Sequence, residues 1–509
     1  MRRLIAFAAL FLLAAAVRPP IAAPRPVTAP KLEGVWIFDA APANPGVTMM
    51  ELDRRGTLWS GRVTTLWYGP IEMIAPTVSE NVLAFDTRNI NDRQHPVRHW
   101  TATLGPRGMT LDGTIWESHV VQTGRRGTAA ERLARTFRFA ALPPLGSLAP
   151  DGLASTPPMG WSSWNKFADG IDAATVRAMA DAMVSTGLRD AGYVYVNIDD
   201  GWQGKRDAAG VLHPNAKFPD MKALADYVHA RGLKFGIYSS QGPRTCAGYE
   251  GSYGHVAQDA RTFAGWGVDY LKYDLCSGEW FYADADTVKR SYYEMGAALR
   301  ATGRPIVYSL CEYGRFNVSE WGQSVGGHLW RTTGDITDTY GKMAEIGFDR
   351  NPKFDRTSHG GWNDPDMLEL GNGGMSNDEY ITHMTLWAMS AAPLMMGHDL
   401  RKTDLATRRL LENREVIAID QDAAGVQGRA IRSEGAITIW AKPLADGAVA
   451  LAAFNRGDAA TSIELRPEDA GMHHITDLRD LWAPRGSPTQ IMRLRVSAHG
   501  SVLLRVRGS

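Results

Sequence analysis

The sequence predicts an α/β chain: a (β/α)8 TIM barrel that carries an N-terminal antiparallel β domain and a C-terminal β-sandwich. Two observations predict the barrel and its flanks. Eight short apolar runs fall between residues 157 and 396, and amphipathic helix-like stretches separate most of them. Runs alternating with helices read as parallel strands joined by crossovers, and eight such units at this length suggest a closed barrel. On either side the texture changes to apolar/polar alternation broken by Gly, Asp and Asn, the pattern of antiparallel strands and turns.

The elements follow in order. Arg2-Arg3, the apolar stretch Leu4 to Val17 and the small residues at Ala14-Ala15-Ala16 and Ala22-Ala23 read as a secretory signal over 1–23. The stretch is short for a bilayer span, so the mature protein is expected in the periplasm or outside the cell. "PRPVTAPK" (24–31) reads as a tether. Residues 32–141, with "GVWIFDA", "NVLAFDTR" and "HWTATLG", read as the small antiparallel β domain. Residues 142–156, rich in Pro, Gly and Ser, read as a linker. The barrel is expected over 157–420, on the runs "PPMGW", "YVYVNI", "LKFGIY", "VDYLKY", "RPIVYSL", "HLWRT", "HGGWND" and "APLMM". Residues 421–509, with "AITIWAKPL", "GAVALAAFN" and "GSVLLRVRG", read as the β-sandwich.

Charge narrows the partners. Lys+Arg and Asp+Glu both number 55 in 509 residues, so the formal net charge is zero. That removes the electrostatic case for a nucleic-acid or acidic-membrane partner. The sixteen tryptophans and sixteen tyrosines suit either a packed core or the flat floor of a sugar site.

In such a barrel the chemistry lies at the C-terminal strand ends. The first run leads to Trp161 and Trp164, the second to Asp199-Asp200 and Trp202, and the third to Tyr238. The fourth carries Lys272 and ends on Asp274. The fifth leads to Cys311-Glu312, the sixth to Arg331 with Asp335 beyond it, and the seventh to Asn363-Asp364 and Asp366-Met367. Any one of these could be a polar strand end that meets water; seven around one mouth suit a sugar. Adjacent carboxylates such as Asp199 and Asp200 accept hydrogen bonds from neighbouring hydroxyls, and tryptophan covers a pyranose face. Glycoside hydrolysis then needs two more carboxyls flanking the scissile bond, and Asp274 and Asp335 can face each other across the mouth. Lys272, two residues before Asp274, shares its side of the strand and is expected to hold a nearby carboxylate ionised.

The stretches "PPMGWSSWNKF", "NIDDGW", "LKFGIYSSQGPRTCAGYEGSYGH", "WGVDYLKYDLC", "VYSLCEYG", "WRTTGDI" and "GGWNDPDML" occur in this order. Through them the chain resembles the melibiase-type α-galactosidases, glycoside hydrolase family 27. The resemblance covers about 155 to 425 and leaves out the N-terminal β domain. It implies a retaining hydrolase of terminal α-D-galactosyl residues, with Asp274 as nucleophile and Asp335 as general acid/base. It implies that Asp199 and Asp200 bind the sugar's 4- and 6-hydroxyls and that Trp164 walls the pocket. Tyr238, Lys272, Arg331, Asp366 and Met367 match further lining positions, and Glu312 matches the position that reads the 2-hydroxyl. A disulfide between Cys246 and Cys276 is implied as well, with Cys311 left as a free thiol. No metal or organic cofactor is implied; the Asp/His content of "SHGGWNDPD" has no standard ligand spacing. The expected substrate is an α-galactoside oligosaccharide or polysaccharide. The alternatives are the same machinery acting on α-N-acetylgalactosaminides or β-L-arabinopyranosides, and a non-catalytic sugar-binding protein.

Overall fold

The computed structural model describes residues 31–39, 46–65, 69–88, 97–115, 118–136, 139–282, 284–354, 357–484 and 493–509. The expected signal and tether segments lie outside these residues.

Eight parallel strands form the central sheet: β1 (Met159–Ser162), β2 (Tyr195–Asn197), β3 (Lys234–Ser240), β4 (Tyr270–Asp274), β5 (Val307–Cys311), β6 (Leu329–Arg331), β7 (Trp362–Asp364) and β8 (Leu394–Met396). They lie in chain order, with β8 beside β1. Beyond β7, Leu368 makes a parallel bridge to Met396 of β8 and brings the two ends of the sheet together. Each strand overlaps its apolar run, and β1, β3, β4 and β5 continue one or two residues past its end. The connecting helices bury one stripe, as their period requires: Val176, Met179, Ala180 and Met183 face inward from the helix Ala173–Ser185. Asp172, Asp220, Asp284 and Ser376 cap four of these helices by accepting from backbone N–H groups in the first turn.

The N-terminal region is a nine-stranded antiparallel sheet running from Gly34–Phe38 to Ser118–Arg126. Its two edge strands, Gly69–Glu72 and Ile74–Ser79, are consecutive in the chain with only Met73 between them. Sheet order therefore follows chain order in a circle, and the sheet curls like a barrel around its own core. Alternate residues Trp36 and Phe38, Leu83 and Phe85, and Met109 and Leu111 fill that core. The strand-like reading of this region missed one helix, Ala129–Arg135. Thr128 and Glu131 form a capping box at its start, and the residues that follow are good helix formers.

The Pro/Gly/Ser-rich stretch 142–156 has no regular structure but is fastened to the barrel. Arg290 donates to the carbonyls of Leu142 and Pro143, Leu148 N–H to Ser324 O, and Trp362 Nε1 to Ala154 O.

At the C-terminus a five-stranded antiparallel sheet faces a two-stranded one, Thr461–Glu464 with Arg493–Val496. The strand Val449–Asn455 is buried on both faces because each face has a partner. Ala450, Ala452 and Phe454 join the barrel's core, whereas Leu451 and Ala453 join the sandwich's own.

Candidate active site

Three strands build one side of the site. In register, Tyr238 of β3 lies beside Lys272 of β4, and Ser240 lies beside Asp274. Asp274 in turn neighbours Cys311 of β5. Asp274 is 3 % exposed. Its Oδ1 accepts from Tyr313 O–H at 2.6 Å and from Leu275 N–H at 2.7 Å, and its Oδ2 accepts from Tyr238 O–H at 3.2 Å. Burial pushes its pKa above the ordinary value; Lys272 and the Tyr313 phenol oppose this, and Asp335 adds to it.

The lysine's partner differs from the expectation of a cation beside the nucleophile. Lys272 Nζ donates to Asp199 Oδ2 at 2.9 Å. Burial works against its charge, but Asp199, Cys311 and Asp274 together outweigh that and hold its pKa well above normal. Lys272 thus reaches across β3 to β2 and acts on Asp274 only through space. Asp200 is buried beside Asp199 and accepts from Ala247 N–H at 2.8 Å and Gly201 N–H at 2.8 Å. Burial pushes its pKa up to about 7, and the neighbouring Asp199 adds to the effect.

The opposite side is built on ions. Arg331 at the end of β6 is 2 % exposed and bonds Asp366 Oδ2 at 2.9 Å and Asp335 Oδ1 at 3.1 Å. Asp366, at a left-handed φ of 83°, also accepts from Ile336 N–H at 2.8 Å, so it holds both the arginine and the backbone after Asp335. Burial lifts Asp366 to about 6 despite Arg331. The Asp335 side chain is 68 % exposed. Burial of its surroundings raises its pKa, but Arg331 and then Lys272 outweigh that and hold it below the ordinary range.

Asp274, Asp335, Trp164, Asp199, Asp200, Tyr238, Lys272, Arg331 and Asp366 line one cavity of about 610 Å³. Two expected residues do not. Glu312 is fully buried; its Oε1 accepts from Gly314 N–H at 3.2 Å, and Tyr313 takes the place on the cavity wall. Met367 lies deeper, inside the barrel with Ser162, Asn197 and Met395. Of the tryptophans at the strand ends, Trp161 and Trp202 are fully buried and donate to the carbonyls of His398 and Tyr238; Trp164 alone of the three reaches the cavity. The reading of strand ends also missed Asn165, Asp338, Glu369 and Asn372 on the outer wall. They sit in loops and a helix start, where no strand period points to them. Glu369 accepts from the Asn165 and Asn372 amides, and burial lifts it to about 7.

Cys246 and Cys276 form a disulfide with Cα atoms 5.1 Å apart, and Cys311 is a free, buried thiol. The disulfide packs on the groups that donate to Asp274: Tyr238 O–H lies 3.0 Å from Cys246 Sγ, and Tyr313 Oη lies 3.7 Å from Cys276 Sγ. Among the described residues the one His/Cys/Asp/Glu cluster close enough to share an ion is Cys246, Asp274 and Cys276, and its two sulfurs are bonded to each other. The Asp/His-rich stretch 358–366 is split by β7: His359 contacts Ser155 O ahead of the strand, whereas Asp366 reaches the cavity beyond it.

Residues 156–422, more than half of the chain, match the family described as alpha galactosidase A. The chain belongs to this alpha-galactosidase family. Residues 434–506 match the alpha galactosidase C-terminal beta sandwich domain. The alpha-galactosidase of Cyamopsis tetragonoloba is 49 % identical over 341 residues, 66 % of this chain and 82 % of that protein. The crystal structure of alpha-galactosidase I from Mortierella vinacea aligns with a TM-score of 0.67 at 35 % identity, over 71 % of this chain and 99 % of that one. A structure from Bacteroides fragilis aligns with a TM-score of 0.64 at 32 % identity over 94 % of this chain and 98 % of that one. That match takes in most of the N-terminal sheet, so this alpha-galactosidase family member shares its three-part plan with a solved structure.

Proposed function

We propose that the protein is a retaining exo-α-galactosidase in which Asp274 is the nucleophile and Asp335 the general acid/base. One observation carries the assignment of roles: two carboxyls open into one cavity, one buried and fixed by three donors, the other exposed at the rim. A nucleophile must be held on line with the anomeric carbon. An acid/base must reach both the leaving oxygen and incoming water.

Asp274 attacks the anomeric carbon while Asp335 gives its proton to the departing oxygen. Asp335 then takes a proton from water, which releases α-galactose and restores both groups. Asp199 and Asp200 accept from adjacent sugar hydroxyls, with Trp164 as the wall. In the present geometry charge rests more readily on Asp335 than on Asp274, the reverse of what the first step needs. The exposure of Asp335 supplies the correction. A sugar laid over its carboxylate strips water from it and raises its pKa, so substrate binding delivers the protonated acid.

The natural substrate is an α-galactoside oligosaccharide or polysaccharide, met in the periplasm or outside the cell. The secretory N-terminal pattern supports that location, and no helix among the described residues is long and apolar enough to cross a membrane. The test is a proton NMR time course on an aryl α-D-galactopyranoside. α-Galactose appearing first and mutarotating later is the expected outcome. β-Galactose first would overturn the retaining assignment. Turnover only of the N-acetylgalactosaminide or the β-L-arabinopyranoside would overturn the sugar specificity.

A further inference from the structure

The turn after β5 is built unusually. Tyr313 has φ of 62°, a left-handed backbone that bulky side chains rarely adopt, and Gly314 follows at 77°. A Cβ on Gly314 would meet Thr332 O at 2.3 Å, so only glycine closes the turn. Glu312 braces it from beneath: its side chain accepts from Gly314 N–H at 3.2 Å and its carbonyl from Arg315 N–H at 3.3 Å. The product of this arrangement is one contact, Tyr313 O–H to Asp274 Oδ1 at 2.6 Å. The Tyr313 ring is held from a second side by the Arg331 guanidinium, 5.8 Å from its centroid.

The two oxygens of Asp274 are therefore unequal. Oδ1 accepts two short bonds, from Tyr313 and from Leu275 N–H at 2.7 Å. Among the described residues Oδ2 accepts one hydrogen bond, from Tyr238 O–H at 3.2 Å, and that hydroxyl lies nearer to Cys246 Sγ, at 3.0 Å. We propose that Tyr313 is a positioning residue for the nucleophile: it fixes Oδ1 as the non-attacking oxygen and leaves Oδ2 to bond the sugar. This rests on Asp274 being the nucleophile. In the first step the Oδ2–C1 bond forms as the C1–O bond to the aglycone breaks, the electron pair leaves on that oxygen, and Asp335 protonates it. Oδ1 becomes the ester carbonyl, still bonded to Tyr313. In the second step water replaces Oδ2 at C1, and the returning negative charge is shared with Oδ1, where the phenol receives it. Glu312 then serves the reaction from a buried position, through the turn that aims Tyr313.

Among the described residues, the groups that face the carboxyl include Tyr238 on β3, Lys272 on β4, Cys311 on β5, Asp335 beyond β6, and Glu279 and Tyr292 behind it. None is altered by Tyr313→Phe, so that variant isolates the phenol. Active sites are first counted by labelling with 5-fluoro-α-D-galactosyl fluoride and mapping the labelled peptide. The rate on an aryl α-galactoside is then expressed per labelled site across pH. The expected result is a loss in kcat per labelled site of about tenfold to a hundredfold, the worth of a hydrogen bond to a charged group. KM should hold or fall, and the acid limb of kcat/KM should move up by about one pH unit. A residue that only supports the fold would reduce the labelled fraction and leave these quantities alone. Glu312→Ala should show part of the same shift, and Glu312→Gln, which keeps a carbonyl acceptor for Gly314, less of it. If Tyr313→Phe labels on Asp274 with kcat per site within about twofold of wild type and an unmoved acid limb, the proposal is wrong and the nucleophile assignment stands. A label on a different residue overturns both.

Discussion

The two walls of the cavity hold their carboxyls by different physics. The wall of β3 to β5 is stapled and hydrogen-bonded: a disulfide, two phenols and a backbone N–H surround Asp274. The wall of β6 and β7 is ionic: buried Arg331 and Asp366 hold each other, and Asp335 leans on Arg331 from the solvent side. The first wall costs its carboxyl water and gains it a fixed direction. The second leaves its carboxyl wet and mobile enough to trade protons. A double-displacement reaction needs one group of each kind, so the difference between the walls matches the division of labour proposed for the two residues.

Neutralising each carboxyl in turn breaks the comparison most directly and has the largest expected effect. Asp274→Asn should lower turnover of every α-galactoside by at least about 10⁴-fold, as loss of a nucleophile does elsewhere. Asp335→Asn should lose about 10²- to 10⁴-fold on a disaccharide, whose leaving group needs a proton, and far less in the first step on an aryl galactoside that leaves unaided. Added azide should speed that aryl reaction and yield α-galactosyl azide in the second variant only. Product analysis by NMR separates the cases; azide rescue of Asp274→Asn giving the same α-azide would reverse the two roles.

The staple is the next place to press. Joining Cys246 to Cys276 closes a loop across a sequence separation of 30, which in the chain-entropy picture stabilises by about 3–4 kcal/mol. The double variant Cys246→Ser/Cys276→Ser should therefore unfold at markedly lower denaturant. Because both sulfurs touch the phenols that hold Asp274, its kcat should also fall at temperatures where it is fully folded. Unfolding followed by circular dichroism, alongside kcat on the folded variant, checks both halves. A variant that loses stability and keeps wild-type kcat would show that the disulfide holds the loops and not Asp274.

These walls were unequally legible in the sequence. Every barrel strand overlaps an apolar run, because a parallel sheet buried on both faces must be written in such runs, although β1, β3, β4 and β5 continue one or two residues past it. Asp274 and Lys272 were legible as neighbours on one side of β4, because the strand period is two. The partner of Lys272 was not, since no local pattern says that its cation crosses β3 to reach Asp199. Tyr313 was hidden for a different reason. It lies two residues past the end of β5 in a left-handed turn, where alternation no longer tells inside from outside. The same turn buries Glu312, which family resemblance alone had put in the sugar's reach. On the ionic wall, Arg331 and Asp335 stand four residues apart in the sequence, but Asp366, which ties them to β7, comes from 31 residues beyond Asp335.

The smallest expected effect sharpens the comparison through pH. Both walls bury acids whose carboxyls stay protonated above the ordinary range: Asp200 and Glu279 near 7 on the stapled side, Asp366 near 6 and Glu369 near 7 on the ionic side, each lifted first by burial. An unfolded carboxyl ionises near pH 4. Between there and pH 7 the folded protein holds protons that the unfolded chain has released, so these groups make stability fall as pH rises. Two buried histidines work the other way. His383, near 3, and His398, near 4, stay neutral in the fold while their unfolded forms bind protons below about pH 6.5. Asp420, lifted by burial to about 8, adds to the acids, and against two histidines they leave a net fall, at about 1.4 kcal/mol per pH unit for each uncompensated proton. Urea unfolding should accordingly show a higher midpoint near pH 5 than near pH 7.5. Asp200→Asn and Glu369→Gln, one from each wall, should each flatten that slope by about one proton, because an amide has nothing to titrate. If Glu369→Gln flattens it and Asp200→Asn does not, Asp200 is already ionised in the free protein.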